Sequence, residues 1–431
     1  MKARQKAWEI IKRVHLDNAH ASLIMRHGLK DYSSLDQALI QTLVYGTLKN
    51  YQFLRYQWQS FLKNKIDEDI SLLIDMAVFQ LIFLDKIPNH AVVNETIEIS
   101  KKVTYGKYRR LVTAILHRFI KEGKQQIENY QALSEAIQNG KDQVGLDVLE
   151  ALALDSSHPL WLVKLWQKQI GFSHTVKLCY YNNQNSRLEF RVNTLKSSLD
   201  KILNNPDFVK HPLANNAVIY QKNIFQSNYF KNREVVIQSA SSQKVAELVD
   251  LNGPLNVLDM CSAPGGKAFH LASLMNNQGK ILAVDIHPHR IKLIENEMVL
   301  QNVKNVATLV ADATKLKRHE LGEFDAIILD APCSGFGVLR SKPEIKIHTK
   351  FSDIKDLVKL QAALLKSASQ LLKIGGQLIY ATCTINELEN QAQIQQFLED
   401  YPNFSLEKQQ LLLPFEVDSD GFYLAKLKRI S

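Results

Sequence analysis

The sequence predicts a multidomain protein with an all-α N-terminal domain, a small α+β connecting domain and a Rossmann-like α/β C-terminal domain with a mostly parallel sheet. Three observations predict it. At 431 residues the chain exceeds what one hydrophobic core usually organises. Up to about residue 140 apolar residues recur at helical spacing, whereas beyond residue 235 short apolar runs alternate with helical stretches. The predicted domains are residues 1–145, 155–235 and 236–431.

The N-terminal domain is predicted to be helical because apolar residues recur every three or four positions in WEIIKRVHL, LDQALIQTLVYGTLKNY and ISLLIDMAVFQLIFL. Its most basic stretch is KKVTYGKYRR (101–110), followed by His117 and Arg118. This stretch has two interpretations of equal weight. It is either a solvated surface or a contact for RNA phosphates, with Tyr105 and Tyr108 as stacking surfaces for bases.

The connecting domain is predicted from a change of pattern after the polar segment NGKDQVG (139–145). In SSHPLWLVKLW, Ser157 or His158 precedes a helix with Pro159 in its first turn. Residues 186–195 (SRLEFRVNTL) then alternate between apolar and polar side chains, as a strand does. A helix followed by a strand indicates a small α+β domain.

The C-terminal domain is predicted to contain a parallel, doubly wound sheet, because apolar strand runs are separated by helical stretches such as HRIKLIENEMVL. In that architecture ligands bind beyond the carboxyl ends of the strands. The functional candidates all follow such ends. The predicted strands are NVLDM (256–260), KILAVDI (280–286), VATLVAD (306–312), FDAIILD (324–330) and GGQLIYATC (375–383).

Composition and charge favour a polyanionic partner and exclude a membrane protein. The formal net charge is +9, from 53 Lys and Arg against 44 Asp and Glu, and a positively charged protein gains affinity by releasing counterions from phosphates. No apolar run is long enough to cross a bilayer. The basic N-terminus lacks the continuous apolar region of a signal peptide, so we expect a cytoplasmic protein.

The four cysteines, Cys179, Cys261, Cys333 and Cys383, show neither metal-type CxxC pairing nor a dense disulfide framework. We therefore expect reduced thiols and no bound metal. Each thiol is then either a small core residue or a reactive group, and its surroundings must decide between the two.

A ligand loop is predicted at CSAPGGK (261–267), between the strand NVLDM and the helix AFHLASLM. Paired glycines let a ligand approach the backbone, and the start of a helix offers free N–H groups. A nucleotide-hydrolysing phosphate loop is disfavoured, because its first Gly and its Ser or Thr are replaced by Cys261 and Ala268.

Two carboxylates follow the next two strands. Asp285 is suited to accept hydrogen bonds from both ribose hydroxyls, and Asp312 to accept one from an adenine amino group. Each of them alone could simply cap a helix. Together with the Gly loop they favour an adenosine-type ligand, without separating S-adenosylmethionine from other such ligands.

Cys333 and Cys383 follow the fourth and fifth strands, in DAPCSG (330–335) and YATCT (380–384). Two thiols facing the ligand side are unusual for structural cysteines. They suit the covalent activation of cytosine, in which a thiolate adds to C6, C5 takes a methyl group, and loss of the C5 proton leads to expulsion of the sulfur. Asp330, if protonated, is placed to donate to N3, and a second thiol can help to release the product.

In this order, VLDMCSAPGGK, ILAVDI, LDAPCSGFG, YATCT and the closing DGFYLAKLK (420–428) resemble the RNA cytosine-C5 methyltransferases. The resemblance implies that Cys383 is the nucleophile, that Cys333 assists release, and that S-adenosylmethionine is the cofactor. The residues implied to line the cofactor site are Cys261, Ser262, Ala263, Pro264, Gly265, Gly266, Lys267, Asp285, Asp312 and Asp330.

The resemblance extends upstream. YGTLKNY, KIPNHAVVNETIEISKK and LVTAILHRF are similar to the NusB-like RNA-binding domain of the bacterial Sun/Fmu group, and SHPLWLVKLW and FRVNTL to its connecting segment. Because that group methylates 16S ribosomal RNA, the resemblance implies that the partner is small-subunit RNA and not DNA. We expect a monomer. Departures from the group's pattern at Thr113, His117, Ser239 and Glu387-Leu388 concern RNA contacts and not the reaction, and Glu389-Asn390 keep the pattern.

Three alternatives remain. A DNA cytosine methyltransferase would use as nucleophile the thiol after the Pro of the fourth-strand motif, here Cys333; the second thiol and the basic helical domain favour RNA. An amino-group methyltransferase would carry Asn/Asp-Pro-Pro-aromatic where this sequence has DAPC. A ribosome-assembly RNA-binding protein with an inactive methyltransferase domain would not need Cys383, Cys333 and Asp330, which are all present.

Overall fold

A computed structural model describes residues 2–222 and 224–431. These residues form two compact units. The helical unit comprises residues 2–185 together with Leu339–Thr349, and the sheet unit comprises Ser186–Val338 together with Lys350–Ser431. The three domain ranges given above remain a prediction.

The helical unit confirms the predicted all-α N-terminal region. Its 26-residue helix Ser34–Gln59 begins after Ser33, whose side chain accepts a hydrogen bond from the Asp36 backbone N–H and so caps the helix. Residues three and four apart on this helix, among them Ile40, Leu43 and Val44, are fully buried. The helices are α1 (Ala3–Asp17), α2 (Ala21–Gly28), α3 (Ser34–Gln59), α4 (Glu68–Phe83), α5 (Asn89–Thr104), α6 (Arg109–Glu122), α7 (Tyr130–Gln138), α8 (Leu146–Asp155) and α9 (Leu160–Asn183).

Helix α9 lies inside the range predicted for the connecting domain but belongs to the helical unit. It begins directly after Pro159, and Gly171 (φ 78°) interrupts its helical geometry. The same unit takes up Leu339–Thr349, a segment that follows Cys333 in the chain. The buried Lys346 of this segment donates a hydrogen bond to the backbone carbonyl of Lys49 (2.7 Å).

The sheet unit opens with a four-stranded antiparallel sheet in the order β2-β3-β1-β4. Its strand β1 falls inside the predicted strand at 186–195, and Phe190 and Val192 of β1 are buried in the core of this sheet. The prediction of a small α+β region is confirmed. Its elements are β1 (Glu189–Val192), α10 (Leu199–Leu203), β2 (Phe208–Lys210), β3 (Ala217–Tyr220), α11 (Asn228–Lys231) and β4 (Val235–Ile237).

The rest of the sheet unit is a seven-stranded sheet flanked by helices. The strands are β5 (Asn256–Asp259), β6 (Lys280–Asp285), β7 (Val306–Val310), β8 (Phe324–Asp330), β9 (Leu372–Thr382), β10 (Phe404–Leu412) and β11 (Phe422–Arg429). The helices are α12 (Ala240–Glu247), α13 (Gly266–Leu274), α14 (Pro288–Gln301), α15 (Arg318–Leu321), α17 (Phe351–Leu371), α18 (Gln391–Asp400) and α19 (Pro414–Val417), while α16 (Ile345–His348) belongs to the helical unit. In the described part of the chain, no helix is long and apolar enough to span a membrane.

The predicted Rossmann-like, mostly parallel sheet is confirmed. In the order β10-β11-β9-β8-β5-β6-β7, the five predicted strands pair in parallel. Strands β10 and β11, which were not predicted, extend the sheet in antiparallel pairing. Successive residues of β5, Val257 and Leu258, enter separate cores, one shared with Phe269 of α13 and the other with Leu365 of α17. Burial on both faces explains why these strands read as continuous apolar runs.

Strand β5 lies between β6 and β8, so the chain proceeds from β5 to one side through β6 and β7 and resumes on the other side at β8. Such a reversal of strand order creates the crevice in which open α/β sheets bind ligands. Asp259, Asp285 and Asp330 are the last residues of β5, β6 and β8. The fold therefore brings three carboxylates to the carboxyl edge of neighbouring strands.

Candidate functional site

The predicted ligand loop lies between β5 and α13, at the reversal of strand order. The Ser262 N–H donates to the Val284 carbonyl of β6 (2.9 Å), and the Gly265 N–H donates to the Ser262 carbonyl (2.7 Å). Gly265 has φ 97°, and a Cβ at this position would lie 2.5 Å from the ring of Phe269. This turn therefore requires Gly. Helix α13 begins directly after it, so its first N–H groups are near the loop.

Asp285, at the end of β6, is buried and has partners on both carboxylate oxygens. Its Oδ1 accepts a hydrogen bond from the His287 N–H (3.0 Å), and its Oδ2 lies 3.1 Å from Nη1 of Arg290. Arg290 also donates Nη2 to the carbonyl of Ala263 (2.8 Å). Arg290 thus connects Asp285, the predicted acceptor for the ribose hydroxyls, with the ligand loop. It was missed from the sequence, where its only signal was a basic residue in the helix that follows Asp285.

Asp312 is partly exposed and caps a short 3-10 helix, Ala313–Lys315. Its Oδ1 accepts hydrogen bonds from the N–H (3.0 Å) and the hydroxyl (2.6 Å) of Thr314, and its Oδ2 lies 3.2 Å from Nζ of Lys315. The hydrogen bond from the Thr314 hydroxyl is the main reason why the pKa of Asp312 is lowered. The capping alternative therefore describes what Asp312 does in the structure, and its contact with adenine remains a prediction.

Asp259, at the end of β5, was not singled out from the sequence. Burial raises the pKa of this carboxyl to about 7, and the Ser262 side chain and the charge of Lys267 offset that rise only in part. Within the described residues, the Asp259 oxygens and the Ser262 hydroxyl have no hydrogen-bond partner of ordinary geometry. Buried polar groups without partners beside a ligand loop suit a ligand rich in polar groups. With Asp285 they fit the ribose and amino-acid parts of S-adenosylmethionine.

Lys267, the last residue of the predicted loop, forms an ion pair with Asp330, with 2.5 Å between Nζ and Oδ2. Burial acts to lower the pKa of Lys267, but the charge and hydrogen bond of Asp330 outweigh it, so this pKa is raised. Cys383 also contributes to the rise, so its sulfur lies within electrostatic reach of the ammonium. The Lys267 ammonium thus holds the proton of this pair. Donation to N3 by Asp330 therefore needs a proton from Lys267.

Cys333 and Cys383 lie with their sulfur atoms 3.4 Å apart. Parallel pairing of β8 with β9 brings this about, since Asp330 is opposite Ala381 and the Ala331 N–H donates to the Ala381 carbonyl (2.8 Å). The hydrogen bond with Cys383, then burial, and then the charges of acidic neighbours raise the pKa of Cys333 well above its usual value. Cys333 is therefore held as a thiol, and either sulfur can be the donor in this contact.

The backbone at Gly337, four residues after Cys333, lies close to the backbones of Cys383 and Gly421. The Gly337 N–H donates to the Cys383 carbonyl (3.0 Å), and the Gly421 N–H donates to the Gly337 carbonyl (2.7 Å). A Cβ on Gly337 would lie 2.0 Å from the carbonyl oxygen of Gly421 and 2.9 Å from that of Cys383. Only Gly permits this approach, which explains the last Gly of LDAPCSGFG and the Gly of DGFYLAKLK.

The other two cysteines have different surroundings. Cys179 is fully buried on α9, and burial raises the pKa of its thiol to about 12. Cys261, in the ligand loop, has its thiol pKa raised by burial and by the charge of Asp259. Neither environment favours a thiolate, so neither residue is a reactive thiol.

The basic stretch 101–110 borders an open groove of about 1010 Å³ on the helical unit. Tyr105 is fully exposed there, while Tyr108 is half-buried with Nζ of Lys107 4.6 Å from its ring centre. Lys107 also pairs with Asp67 (3.4 Å), and Arg109 is exposed. Of the two tyrosines, Tyr105 therefore offers the larger free surface for stacking.

Comparison with known proteins identifies relatives along the whole chain. The family model for 16S rRNA methyltransferase RsmB/F matches residues 247–428, that for the NusB family matches residues 1–121, and that for the ferredoxin-like domain of RsmF/B-like methyltransferases matches residues 158–205. A protein of Bacillus subtilis named "Probable ribosomal RNA small subunit methyltransferase B" is 31% identical, over 99% of this chain and 98% of its own length.

A second relative and a solved structure agree with this. The ribosomal RNA small subunit methyltransferase B of Yersinia pseudotuberculosis is 30% identical over 98% of both chains. The crystal structure of PH0851 superposes with a TM-score of 0.82, at 24% identity, over 99% of this chain and 98% of its own. At that identity the likeness concerns the fold alone.

Proposed function

The chain belongs to the RsmB/F family of 16S rRNA methyltransferases, and we propose that it methylates C5 of one cytosine of that RNA through a bond between Cys383 and C6. The observation that carries the proposal is the approach of the Cys383 sulfur to a second thiol (3.4 Å), in reach of the Lys267–Asp330 ion pair. The resemblance to the Sun/Fmu group is confirmed by these relatives.

S-adenosylmethionine is the cofactor, and it supplies a methyl group carried on a sulfonium. The loop 261–267 and the N–H groups at the start of α13 would contact it, with Asp285 accepting hydrogen bonds from the ribose hydroxyls. Arg290 holds Asp285 and the loop together, since it contacts both.

We assign Cys383 as the nucleophile from the groups that face its sulfur. The ammonium of Lys267 lies within electrostatic reach of the Cys383 sulfur, and the Cys333 thiol lies 3.4 Å from that sulfur, where its S–H can donate to a thiolate. Opposite charge and a hydrogen bond to the charged form both favour ionisation. After its proton has passed to solvent, the thiolate adds to C6 and forms the carbon–sulfur bond.

Addition to C6 places negative charge on the pyrimidine ring, which the Lys267–Asp330 pair neutralises. A proton from the Lys267 ammonium reaches N3 through Asp330, so the adduct is neutral and C5 becomes enamine-like. C5 can then accept the methyl group. When the product forms, N3 returns this proton to the pair.

Release of the product needs a good leaving group. The C5 proton passes to water, its electron pair forms the C5–C6 double bond, and the bond between C6 and the Cys383 sulfur breaks. Cys333 assists because its S–H lies within reach of the departing thiolate, since the two sulfur atoms are 3.4 Å apart. The raised pKa of Cys333 keeps this proton in place.

The same geometry disfavours the DNA-enzyme arrangement, in which Cys333 attacks. Its neighbours Cys383, Glu389 and Asp330 all raise the pKa of Cys333, and a thiol in such surroundings is a poor nucleophile. We infer that RNA binds in addition at the groove of Tyr105, Arg109 and Arg110, where exposed positive charge lies beside an exposed ring.

Loss of tritium from C5 tests the proposal. With 16S rRNA labelled at C5 of cytosine, each methyl group transferred should release one tritium into water, and bisulfite sequencing should locate a single protected cytosine. Methyl transfer without tritium release would exclude C5 as the acceptor. RNA from cells that lack the gene serves as substrate, because its site is unmethylated.

A further inference from the structure

Glu389 is a fully buried carboxylate that follows the Cys383 segment, at the end of the short 3-10 helix Glu387–Glu389. Its Oε1 accepts hydrogen bonds from the Ser334 N–H (2.8 Å) and from Nε2 of Gln361 (3.1 Å). Its Oε2 accepts from the Ser334 hydroxyl (2.5 Å) and from Nδ2 of Asn386 (2.9 Å). Each carboxylate oxygen of Glu389 thus accepts two hydrogen bonds.

All four donors are neutral groups. A buried carboxylate is costly to maintain, and without a cationic partner it needs several hydrogen bonds to stay ionised. An amide of similar size would place its N–H₂ group against donors, so this set of four hydrogen bonds requires a carboxylate.

The donors belong to the segments that carry the two thiols. Ser334 follows Cys333, and because its hydroxyl proton is directed to Glu389, the Thr384 hydroxyl must donate to the Ser334 oxygen (2.8 Å). Thr384 in turn follows Cys383. Glu389 is therefore linked to the residue after each thiol, directly in one case and through one hydroxyl in the other.

Two further contacts make this arrangement rigid. Nε2 of Gln361, on α17, also donates to the carbonyl of Pro332 (2.9 Å), which precedes Cys333. The Tyr380 hydroxyl, from β9, donates to the backbone carbonyl of Glu389 (2.7 Å). The residues on both sides of Cys333 are therefore held by groups that contact Glu389, and Glu389 itself is anchored to the strand that leads to Cys383.

We propose that Glu389 is a positioning residue for product release, whose carboxylate fixes Ser334 and thereby keeps the Cys333 thiol against the sulfur of Cys383. This inference rests on the proposed function and assigns one step of it. Without the carboxylate, Cys383 still adds to C6 and the methyl group is still transferred. The departing sulfur then lacks its donor, and the covalent adduct persists.

Glu389→Gln tests the inference, since Gln keeps the size but places an N–H₂ group against two donors. Multiple turnover should fall on the order of 10²-fold, the effect of a misplaced group, while methyl transfer in a single turnover stays close to that of the unmodified protein. Enzyme–RNA adduct should accumulate on denaturing gels. Glu399→Gln, which changes an exposed carboxylate of α18, should leave both rates unchanged.

A second readout separates positioning from loss of structure. Removing the Glu389 charge should shift the alkylation of Cys333 by iodoacetamide to lower pH, which a general loosening of the fold would not do for one thiol alone. If Glu389→Gln fails to fold, Ser334→Ala removes the hydroxyl that links Glu389 to Thr384 and should show the same stalled adduct to a smaller degree.

Cys333→Ala is measured in parallel and separates the two claims. Adduct in Cys333→Ala but none in Glu389→Gln or Ser334→Ala would overturn the role of Glu389 alone. Absence of adduct in Cys333→Ala would overturn the release step of the proposed function. A loss of single-turnover transfer in Glu389→Gln with an unchanged melting temperature would also contradict the inference, because attack would then depend on Glu389.

Discussion

The sulfur atoms of Cys333 and Cys383 lie 3.4 Å apart across neighbouring parallel strands, although 50 residues separate them in the chain. At this distance a proton on one thiol stabilises negative charge on the other. We therefore expect replacement of one residue to block methyl transfer and replacement of the other to block product release.

Cys383→Ala removes the nucleophile and should lower methyl transfer on the order of 10⁴-fold or more, as the loss of a covalent nucleophile does. Cys333→Ala should transfer the methyl group and then retain the RNA, because elimination comes after transfer. The measurement is a protein–RNA band that survives denaturing electrophoresis. Adduct in Cys383→Ala, with none in Cys333→Ala, would reverse the two assignments.

Asp285→Ala should weaken the binding of S-adenosylmethionine, because an acceptor for the ribose hydroxyls is lost and Arg290 loses its partner. Loss of a charged hydrogen-bonding group costs about 1–3 kcal/mol, which is roughly 5- to 150-fold in Kd. Titration calorimetry measures it directly. Lys292→Ala, at an exposed position on the same helix as Arg290, is the control. An unchanged affinity in Asp285→Ala would remove this residue from the cofactor site.

Arg290→Leu should also weaken cofactor binding but leave the melting temperature of the cofactor-free protein nearly unchanged. The guanidinium contacts both Asp285 and the Ala263 carbonyl, so its loss releases the ligand loop from β6. The guanidinium is partly exposed, so its ion pair contributes little to folding. Equal losses of affinity and stability would show that Arg290 serves the fold and not the site.

Asp259→Asn should change how stability depends on pH. The unfolded carboxyl has a pKa of 3.8, whereas burial raises the native value to about 7. Between these values the native protein holds a proton that the unfolded chain has lost, so stability falls as the pH rises through this window. Each pKa unit corresponds to about 1.4 kcal/mol, so the effect is at most a few kcal/mol.

The substitution removes this titration. Without cofactor, Asp259→Asn should therefore gain stability relative to the unmodified protein between pH 5 and pH 8, as measured by urea unfolding at each pH. A constant difference across that range would mean that the Asp259 pKa is not raised. Asp312→Asn is a suitable comparison, because the pKa of this carboxyl is lowered and its titration ends below pH 5.

Charge reversal at Lys107, Arg109 and Arg110 should weaken RNA binding and flatten its salt dependence. Each lost phosphate contact lowers the slope of log K against log salt by about 0.7–0.9. Cofactor affinity should not change. Reversal of two exposed lysines on α9, Lys164 and Lys168, is the matched control. If the variant with three reversed charges and the control variant both keep the salt dependence of the unmodified protein, the basic groove is a solvated surface and RNA binds elsewhere.

Much of the site could be predicted because it follows strand ends. The strand and helix periods of NVLDM-CSAPGGK and its successors predicted a parallel sheet, and in such a sheet every carboxyl end reaches the same edge. Cys261 to Lys267, Asp285, Asp330, Cys333 and Cys383 were therefore expected near one another without knowledge of any contact. The motifs that carry the family resemblance are these same strand ends.

Side-chain partners could not be predicted in this way. Lys267 was assigned to the ligand loop, but its ammonium pairs with Asp330, 63 residues away. Arg290 and Asp259 carry no distinctive spacing, and Glu389 was noted only as part of a pattern. Their roles depend on which groups lie within hydrogen-bond reach and how far water is excluded, and both depend on packing between distant segments.

The same distinction applies to the fold. Local patterns were sufficient for the helices of the N-terminal region and for the five parallel strands. A helical period reports one buried face, and a short continuous apolar run indicates a strand buried on both faces. The reversed direction of β10 and β11, the grouping of α9 with the helical unit and the return of Leu339–Thr349 to that unit were decided by tertiary contacts. An apolar face must be covered, but its period does not specify which part of the chain covers it.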